Sequence, residues 1–268
     1  MYLLKTRKIR TEGIPVQIEN GIFRLETGAA QTVGKRQEQQ DGFLLRAFPE
    51  CNCFLAAVAD GMGGLSCGKA AAGLVLEKVA AELEKRLSTD MGPEQISELL
   101  VQATEEAGKR LVCWCAEQKV TAGTTLVAAL IYRDCLYFCT VGDSRLYLYR
   151  NGEMLQMNED HSLENYLIRC DMRQEEVPEL NGSLYSYLGQ EAIAEIDFSR
   201  RGFPLLEEDM LLLCTDGFYQ AVQEEEFSGM LSERNVQKQT ESLLKQVLKK
   251  KIVHQDNATL VLLRCYKR

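Results

Sequence analysis

The spacing of apolar residues along the chain predicts both strands and helices. Short apolar runs rich in β-branched and aromatic residues, most of them closed by turn residues, are typical of strands. These strands are predicted at residues 54–59, 125–132, 136–141, 146–149, 210–215 and 259–263. Apolar residues that recur every three or four positions predict helices. These helices are predicted at residues 66–87, 94–118 and 233–250.

The order of these elements indicates the fold class. Two helices follow one another directly, and the strands occur in groups between helices. The segment Arg-Asn-Gly-Glu (150–153) is a strong signal for a tight hairpin. This arrangement favours an α+β fold with antiparallel sheets over repeated βαβ units. The chain has no linker-like or repeated segment, so a single domain is expected.

Composition narrows the class of partner and the compartment. The 268 residues include 31 Lys and Arg against 39 Asp and Glu, a formal charge of -8. Such a balance argues against binding to nucleic acid. No apolar stretch approaches the roughly 20 residues of a membrane span, so a cytoplasmic protein with no membrane partner is expected. The 10 cysteines form no CxxC pair and are expected to be reduced; Cys139, Cys214 and Cys265 are expected in the core.

Aspartates stand at the ends of the predicted strands. Asp60, Asp143 and Asp216 each follow a strand or complete its turn, Asp256 precedes the last strand, and Asp41 precedes a further apolar run. Next to glycine, a single aspartate is first of all a turn signal. Several carboxylates at one sheet edge would repel each other unless a cation held them ionised. With only 2 histidines in the chain, this pattern predicts a Mg²⁺ or Mn²⁺ site with oxygen ligands.

Seven segments in order resemble the motif series of the metal-dependent protein phosphatase family, type 2C, in its short bacterial form. They are Arg-Gln-Glu-Gln-Gln-Asp (36–41), Val-Ala-Asp-Gly-Met-Gly-Gly (58–64), Gly-Thr-Thr-Leu (123–126), Val-Gly-Asp-Ser-Arg (141–145), Glu-Asp-His-Ser (159–162), Cys-Thr-Asp-Gly (214–217) and Asp-Asn-Ala-Thr (256–259). The resemblance implies a catalytic domain at residues 26–268, preceded by an extension or edge strand at 1–25. It implies a four-layer α-β-β-α sandwich, in which helical hairpins flank two antiparallel sheets and a dinuclear metal site lies in a cleft.

The resemblance also assigns metal ligands by position. They are Asp41, Asp60, Gly61, Asp143, Asp216 and Asp256. In the family pattern, Asp60 bridges two ions and Gly61 offers its backbone carbonyl to one of them. Asp216 and Asp256 hold the first ion, Asp41 helps to place the second, and Asp143 corresponds to a third, weaker ion.

The activity implied is that of a signalling enzyme, which hydrolyses phosphoserine and phosphothreonine in proteins. A water that bridges two Mn²⁺ or Mg²⁺ ions attacks phosphorus, and no phosphoenzyme forms. Arg36 corresponds to the arginine that grips the phosphate with its planar fork of donors. Arg36, Asp60 and Asp216 are therefore the expected catalytic residues. A phosphoprotein substrate and a cognate serine/threonine kinase are the implied partners.

Three residues of these motifs bear on how the site would work. Gln40 stands where many members have glutamate, and the loss of one negative charge is expected to weaken metal binding without abolishing it. Met62 stands where many eukaryotic members have a histidine, so the leaving group is expected to take its proton from a metal-bound water. His161 lies beside an acidic residue, and a structural role as a hydrogen bonder is expected.

Three alternative functions compete with the phosphatase hypothesis. Residues 63–70 nearly form a nucleotide-binding P-loop, but Ala70 lacks the hydroxyl that would bind Mg²⁺. Cys139 and Arg145 have the spacing of cysteine-dependent phosphatases, but Asp143 would place an anion within the phosphate loop. A catalytically weak or inactive phosphoprotein-binding module with the same fold is supported only by Gln40.

Overall fold

The computed structural model describes residues 10–12, 15–17, 23–64, 66–171, 182–222 and 235–267. The strands are β1 (Arg10–Glu12), β2 (Pro15–Gln17), β3 (Phe23–Thr32), β4 (Gly42–Phe48), β5 (Cys53–Ala59), β6 (Gly61–Gly63), β7 (Ala122–Thr124), β8 (Leu126–Tyr132), β9 (Cys135–Val141), β10 (Arg145–Arg150), β11 (Glu153–Gln156), β12 (Asp197–Phe198), β13 (Phe203–Pro204), β14 (Met210–Cys214) and β15 (Ala258–Lys267). The helices are α1 (Cys67–Arg86), α2 (Pro93–Gln118), α3 (Leu163–Arg169), α4 (Asp216–Tyr219) and α5 (Val236–Lys249). None of these helices is both long enough and apolar enough to traverse a bilayer.

Two antiparallel sheets form the centre of the molecule. The first has the strand order β1-β3-β15-β14-β10-β11, with β2 also paired to β3. The second has the order β12-β9-β8-β5-β4, with β13 also paired to β9. A short ribbon joins β6 to β7. The α+β fold class with two antiparallel sheets is thus confirmed.

The apolar residues divide into three clusters that separate four layers. Residues of β5 alternate between two of them, since Leu55 and Ala57 face α1 and α2 while Phe54 and Val58 face the other sheet. A strand buried on both faces is apolar throughout, and this is why β5 was predictable as a continuous run. The third cluster lies between the first sheet and the helices α4 and α5.

The predicted hairpin forms at the expected residues. Arg150 pairs with Glu153 across a two-residue turn, and Asn151 and Gly152 both have positive φ angles, 55° and 89°. These are the backbone angles that favour an Asn-Gly turn between antiparallel strands. The hairpin places β11 at the edge of the first sheet.

The predicted helices agree with α1, α2 and α5 to within a few residues, except that residues 233 and 234 lie outside the described part of the chain. The strand β3 was not predicted. Its Gly28 lies against α5, where an added Cβ would be 2.6 Å from Thr240 Oγ1. The small and polar residues that allow this close approach hide the strand pattern in the sequence.

Candidate active site

A cavity of about 950 Å³ lies where strands of both sheets end. Asp60 follows β5, Asp143 follows β9, Asp216 follows β14 and Asp256 precedes β15, and all four line this cavity together with Arg36. Other lining residues include Gly61, Met62 and Gln40. The fold therefore brings most of the residues that the motif series selected together around one cavity.

Asp41 occupies a different place from the other four carboxylates. It is buried behind the cavity, and only 5% of its surface is exposed. Thr215 Oγ1 donates a hydrogen bond of 2.8 Å to Asp41 Oδ2. Burial raises the pKa of Asp41 to about 7, although the bond from Thr215 lowers it. Asp41 thus links the start of β4 to the residue just before Asp216.

The cavity carboxylates are held close together in a poorly solvated place. Burial raises the pKa of Asp60 well above its ordinary value, and the neighbouring Asp41 and Asp216 raise it further. Burial also raises the pKa of Asp143 to about 7, and the charge of Asp216 adds to this shift. Carboxylates that disfavour ionisation in this way are stabilised as anions by a nearby cation.

These residues fit divalent ions by their chemistry. Oδ1 of Asp216 is buried, and no donor from the described residues reaches it. Hard oxygen ligands in this density are suited to Mg²⁺ or Mn²⁺. Among the described residues, no three side chains of Asp, Glu, His or Cys are already close enough together to coordinate one metal ion. One competing contact is the 2.6 Å ion pair between Arg36 Nη2 and Asp256 Oδ2, which occupies an oxygen that an ion would need.

The backbone at Asp60 is fixed by two threonines of the Gly-Thr-Thr-Leu motif, for which the sequence alone indicates no role. Asp60 N–H donates to Thr125 Oγ1 at 2.9 Å, and Thr124 Oγ1 donates to the Asp60 carbonyl at 2.9 Å. Thr125 Oγ1 also lies 2.7 Å from Ser144 Oγ, next to Asp143. The Gly-Thr-Thr-Leu motif therefore connects two of the cavity aspartates.

Asn257, which also lines the cavity, performs a similar role beside Asp256. Its Nδ2 donates to the carbonyls of Val33 at 3.0 Å and Glu38 at 2.9 Å, and its Oδ1 accepts from Gln40 N–H at 2.8 Å. These three bonds hold the loop that carries Arg36. The only sequence signal was the position of Asn257 inside a motif, because an asparagine beside Asp256 is otherwise typical of a turn.

His161 holds the backbone beside Asp143. Its ring Nδ1 accepts a hydrogen bond of 3.1 Å from the backbone N–H of Gly142, and the backbone N–H of His161 donates to the Gly142 carbonyl at 2.9 Å. The φ angle of Gly142 is 101°, which few residues other than glycine adopt. His161 is fully buried and does not line the cavity, so its contacts are those of a structural residue.

One glycine of the near P-loop, Gly68, has a packing function. Gly61 and Gly68 are in direct backbone contact, and a Cβ on Gly68 would lie 2.6 Å from the Gly61 carbonyl oxygen. The start of α1 therefore approaches the cavity closely at Gly61. This contact accounts for Gly68 without a bound nucleotide.

We expect Gly68→Ala to reduce stability by about 1–3 kcal/mol, because the new methyl group meets backbone that cannot rotate away. Gly73→Ala is the matched control, since Gly73 lies in the same helix and has nothing within 4 Å of the added Cβ. This control should gain about 0.5–1 kcal/mol from helix propensity. Urea unfolding curves measure both changes, and equal stabilities for the two variants would contradict the packing argument.

Cys139 does not have the environment of a catalytic thiol. It is fully buried within β9, and burial raises the pKa of its thiol to about 12. Thr104 Oγ1 lies 3.3 Å from its sulfur, as in a packed core contact. The cysteine-dependent mechanism therefore has no accessible thiolate at this position.

Comparison with known proteins decides the family. A family model described as Protein phosphatase 2C matches residues 30–253. The chain belongs to the protein phosphatase 2C family. A serine/threonine phosphatase, stp, from Listeria innocua is 34% identical to this 2C-family chain over 187 residues, which cover 67% of the chain and 72% of the relative. The enzyme class expected from the motif series, a protein serine/threonine phosphatase, is confirmed.

Solved structures agree with this assignment. The serine/threonine phosphatase of S. agalactiae has the same fold, with a TM-score of 0.81, 22% identity, and coverage of 91% of this chain and 100% of that one. The catalytic domain of the phosphatase PstP, solved in complex with two manganese ions, matches with a TM-score of 0.72 at 26% identity. The match covers 91% of this 2C-family chain and 99% of the PstP chain.

Proposed function

We propose that this phosphatase hydrolyses phosphoserine and phosphothreonine in proteins with the help of two Mn²⁺ or Mg²⁺ ions. The observation that carries the proposal is that Asp60, Asp143, Asp216 and Asp256 line one cavity together with Arg36. A cognate serine/threonine kinase would supply the phosphorylated substrate.

The ions would be held by the carboxylates of the cavity wall, with Asp60 shared between them. Asp216 and Asp256 would complete one site, while Asp41 and the Gly61 carbonyl would support the other. Asp143 would hold a third, weaker ion. When bound, such ions neutralise phosphate charge and acidify a water for attack on phosphorus.

Arg36 is placed to bind the phosphoryl group. Its side chain is 62% exposed at the cavity wall, where it is paired with Asp256. An exposed ion pair of this kind contributes only about 0–1 kcal/mol, so it can be exchanged at little cost. With Asp256 serving as a metal ligand, the Arg36 guanidinium would be free to present its fork of donors to phosphoryl oxygens.

Gln40 lines the cavity at the position where many members of the family have glutamate. Its Nε2 donates to the Gly63 carbonyl at 3.0 Å, so it stabilises the segment after Gly61. This contact is structural and does not replace the missing negative charge. We therefore propose that the site retains its ions but binds them less tightly than a site with glutamate would.

The proposal is tested by a metal titration of phosphate release. Phosphothreonine and phosphotyrosine peptides of otherwise identical sequence are the substrates. EDTA should abolish the release of phosphate, Mn²⁺ or Mg²⁺ should restore it, and the phosphothreonine peptide should be preferred. Cys139→Ser should leave the rate unchanged. A wild-type protein that binds these peptides in excess Mn²⁺ without hydrolysing them would instead indicate the inactive binding module.

Arg36→Lys should raise the KM for phosphopeptides about 10-fold with little change in kcat, because a lysine cannot form two parallel bonds to phosphate. Arg46→Lys is the matched control, since Arg46 forms exposed ion pairs with Glu77 and Glu84 away from the cavity. Steady-state kinetics measure both variants. If the two variants have the same KM, Arg36 does not bind phosphate.

A further inference from the structure

A second, smaller hollow adjoins the active-site cavity. Its volume is about 200 Å³, and it lies at the end of α5. The lining residues are Lys35, Val247, Leu248, Lys251, Ile252 and Gln255. Lys35 lines both this hollow and the active-site cavity, so the two meet at this residue.

The chemistry of the hollow differs from that of the active site. Val247, Leu248 and Ile252 give the hollow an apolar lining, while Lys35 and Lys251 are exposed and supply positive charge. None of the described residues that line it is acidic. In a chain with a net charge of -8, this local excess of positive charge favours a ligand with both acidic and apolar groups.

The helix dipole does not account for the whole arrangement. Lysines near the C-terminus of α5 are favoured by the dipole, but Lys35 comes from the loop after β3. That loop is fixed, because Lys35 N–H donates to the Gln255 carbonyl at 2.8 Å. Gly34 has a φ of 57°, and a Cβ there would lie 2.0 Å from the Asp256 carbonyl oxygen. The backbone of Lys35 is therefore held in a fixed position beside the hollow, in the loop that also carries Arg36.

The position of Lys35 relates the hollow to the substrate. It directly precedes Arg36, and consecutive Cα atoms are about 3.8 Å apart. An extended peptide advances about 3.3 Å per residue. A peptide whose phosphorylated side chain binds at Arg36 would therefore have residues a few positions away within reach of Lys35, which lines the hollow.

We propose that this hollow is a substrate subsite, which binds an acidic segment with one apolar side chain next to the phosphorylated residue. The inference rests on the proposed phosphatase function and adds a sequence preference to it. The apolar side chain packs on Leu248 and Ile252, and the acidic side chains pair with Lys35 and Lys251. The subsite thus selects among phosphoproteins without taking part in the chemistry.

The test compares two phosphothreonine peptides of equal length. In one peptide, a Glu-Leu-Glu segment stands a few residues before the phosphothreonine and a second one stands a few residues after it. In the other peptide, both segments are replaced by Ser-Gly-Ser. The wild type should prefer the acidic peptide about 10-fold in kcat/KM, with the difference in KM. Lys251→Glu and Leu248→Ser should each remove most of this preference. Both should leave the hydrolysis of p-nitrophenyl phosphate unchanged, because this small substrate reaches only the main cavity.

Lys85→Glu is the control for a general effect of charge. Like Lys251, Lys85 is an exposed lysine near the C-terminal end of a helix, in this case the last turn of α1, but α1 packs on the other sheet. It should keep the peptide preference. Equal rates for both peptides with the wild type, or an equal loss of preference in Lys85→Glu and Lys251→Glu, would overturn the subsite.

Failure of the phosphatase function itself would give a different result. In that case no substrate, p-nitrophenyl phosphate included, releases phosphate in excess Mn²⁺. Fluorescence anisotropy of the labelled acidic peptide then measures binding to the subsite independently of hydrolysis. Binding to the wild type that is lost in Lys251→Glu supports the subsite, and binding that is the same in both proteins refutes it.

Discussion

Replacing Asp60 by asparagine should reduce phosphate release from phosphopeptides by about 1000-fold, a loss of about 4 kcal/mol in transition-state stabilisation. Asp60 lies among the cavity carboxylates, and its backbone is fixed from both sides by Thr124 and Thr125. Asparagine has nearly the same shape, so these backbone bonds should persist. The variant removes one negative charge where a shared ligand between two ions is proposed. The rate is measured as inorganic phosphate released at saturating Mn²⁺.

Thermal unfolding in EDTA shows whether the fold is intact. Asp60→Asn should be at least as stable as the wild type without metal, because burial disfavours the charged carboxylate at this position. Asp90→Asn serves as a second control, since Asp90 is an exposed aspartate in the loop between α1 and α2. This variant should retain full activity. A rate for Asp60→Asn within a few-fold of the wild type would refute the role of Asp60 in the reaction.

The sequence predicts those parts of the fold in which burial is complete. Strands such as β5 and β14 are buried on both faces, so their apolar runs have no polar interruption. β3 is also buried along most of its length, but Thr27, Gly28 and Gln31 lie within it. These residues meet the helix α5 or neighbouring strands in ways that only the tertiary structure defines. Local pattern therefore identified some central strands and missed another.

The candidate site shows the same division. Aspartates at strand ends are visible in the sequence, because a charged residue directly after an apolar run is conspicuous. Thr215, Thr125 and Asn257 are not conspicuous, since short polar residues beside Gly or Asp are typical of any turn. Their roles depend on partners far away in the chain, such as the bond from Thr215 to Asp41. The expected ligands could be selected from the sequence, whereas the residues that position them could not.

Metal-free protein should lose stability as the pH rises from 6.5 to 8.0. The pKa values of Asp41 and Asp143 are raised by burial from 3.8 to about 7 in the folded state. Between these values the folded protein binds more protons than the unfolded chain, so these groups stabilise the fold at low pH. That stability is lost as the pH passes through 7, at about 1 kcal/mol for each carboxyl over this range. The midpoint of thermal unfolding in EDTA should fall by about 5 °C.

Mn²⁺ should reverse this loss, because ion binding requires ionised carboxylates and replaces their mutual repulsion by attraction. At 100 times its Kd, a bound ion contributes about 2.7 kcal/mol, or about 6 °C in the midpoint. The increase should be larger at pH 8.0 than at pH 6.5, where protons compete with the ion for Asp41 and Asp143. Differential scanning calorimetry with and without Mn²⁺ at both pH values measures this directly. In Asp143→Asn the fall with pH in EDTA should be smaller, because one of the titrating groups is gone. A midpoint that rises with pH in EDTA, or an effect of Mn²⁺ that is independent of pH, would show that the carboxylates do not carry these protons.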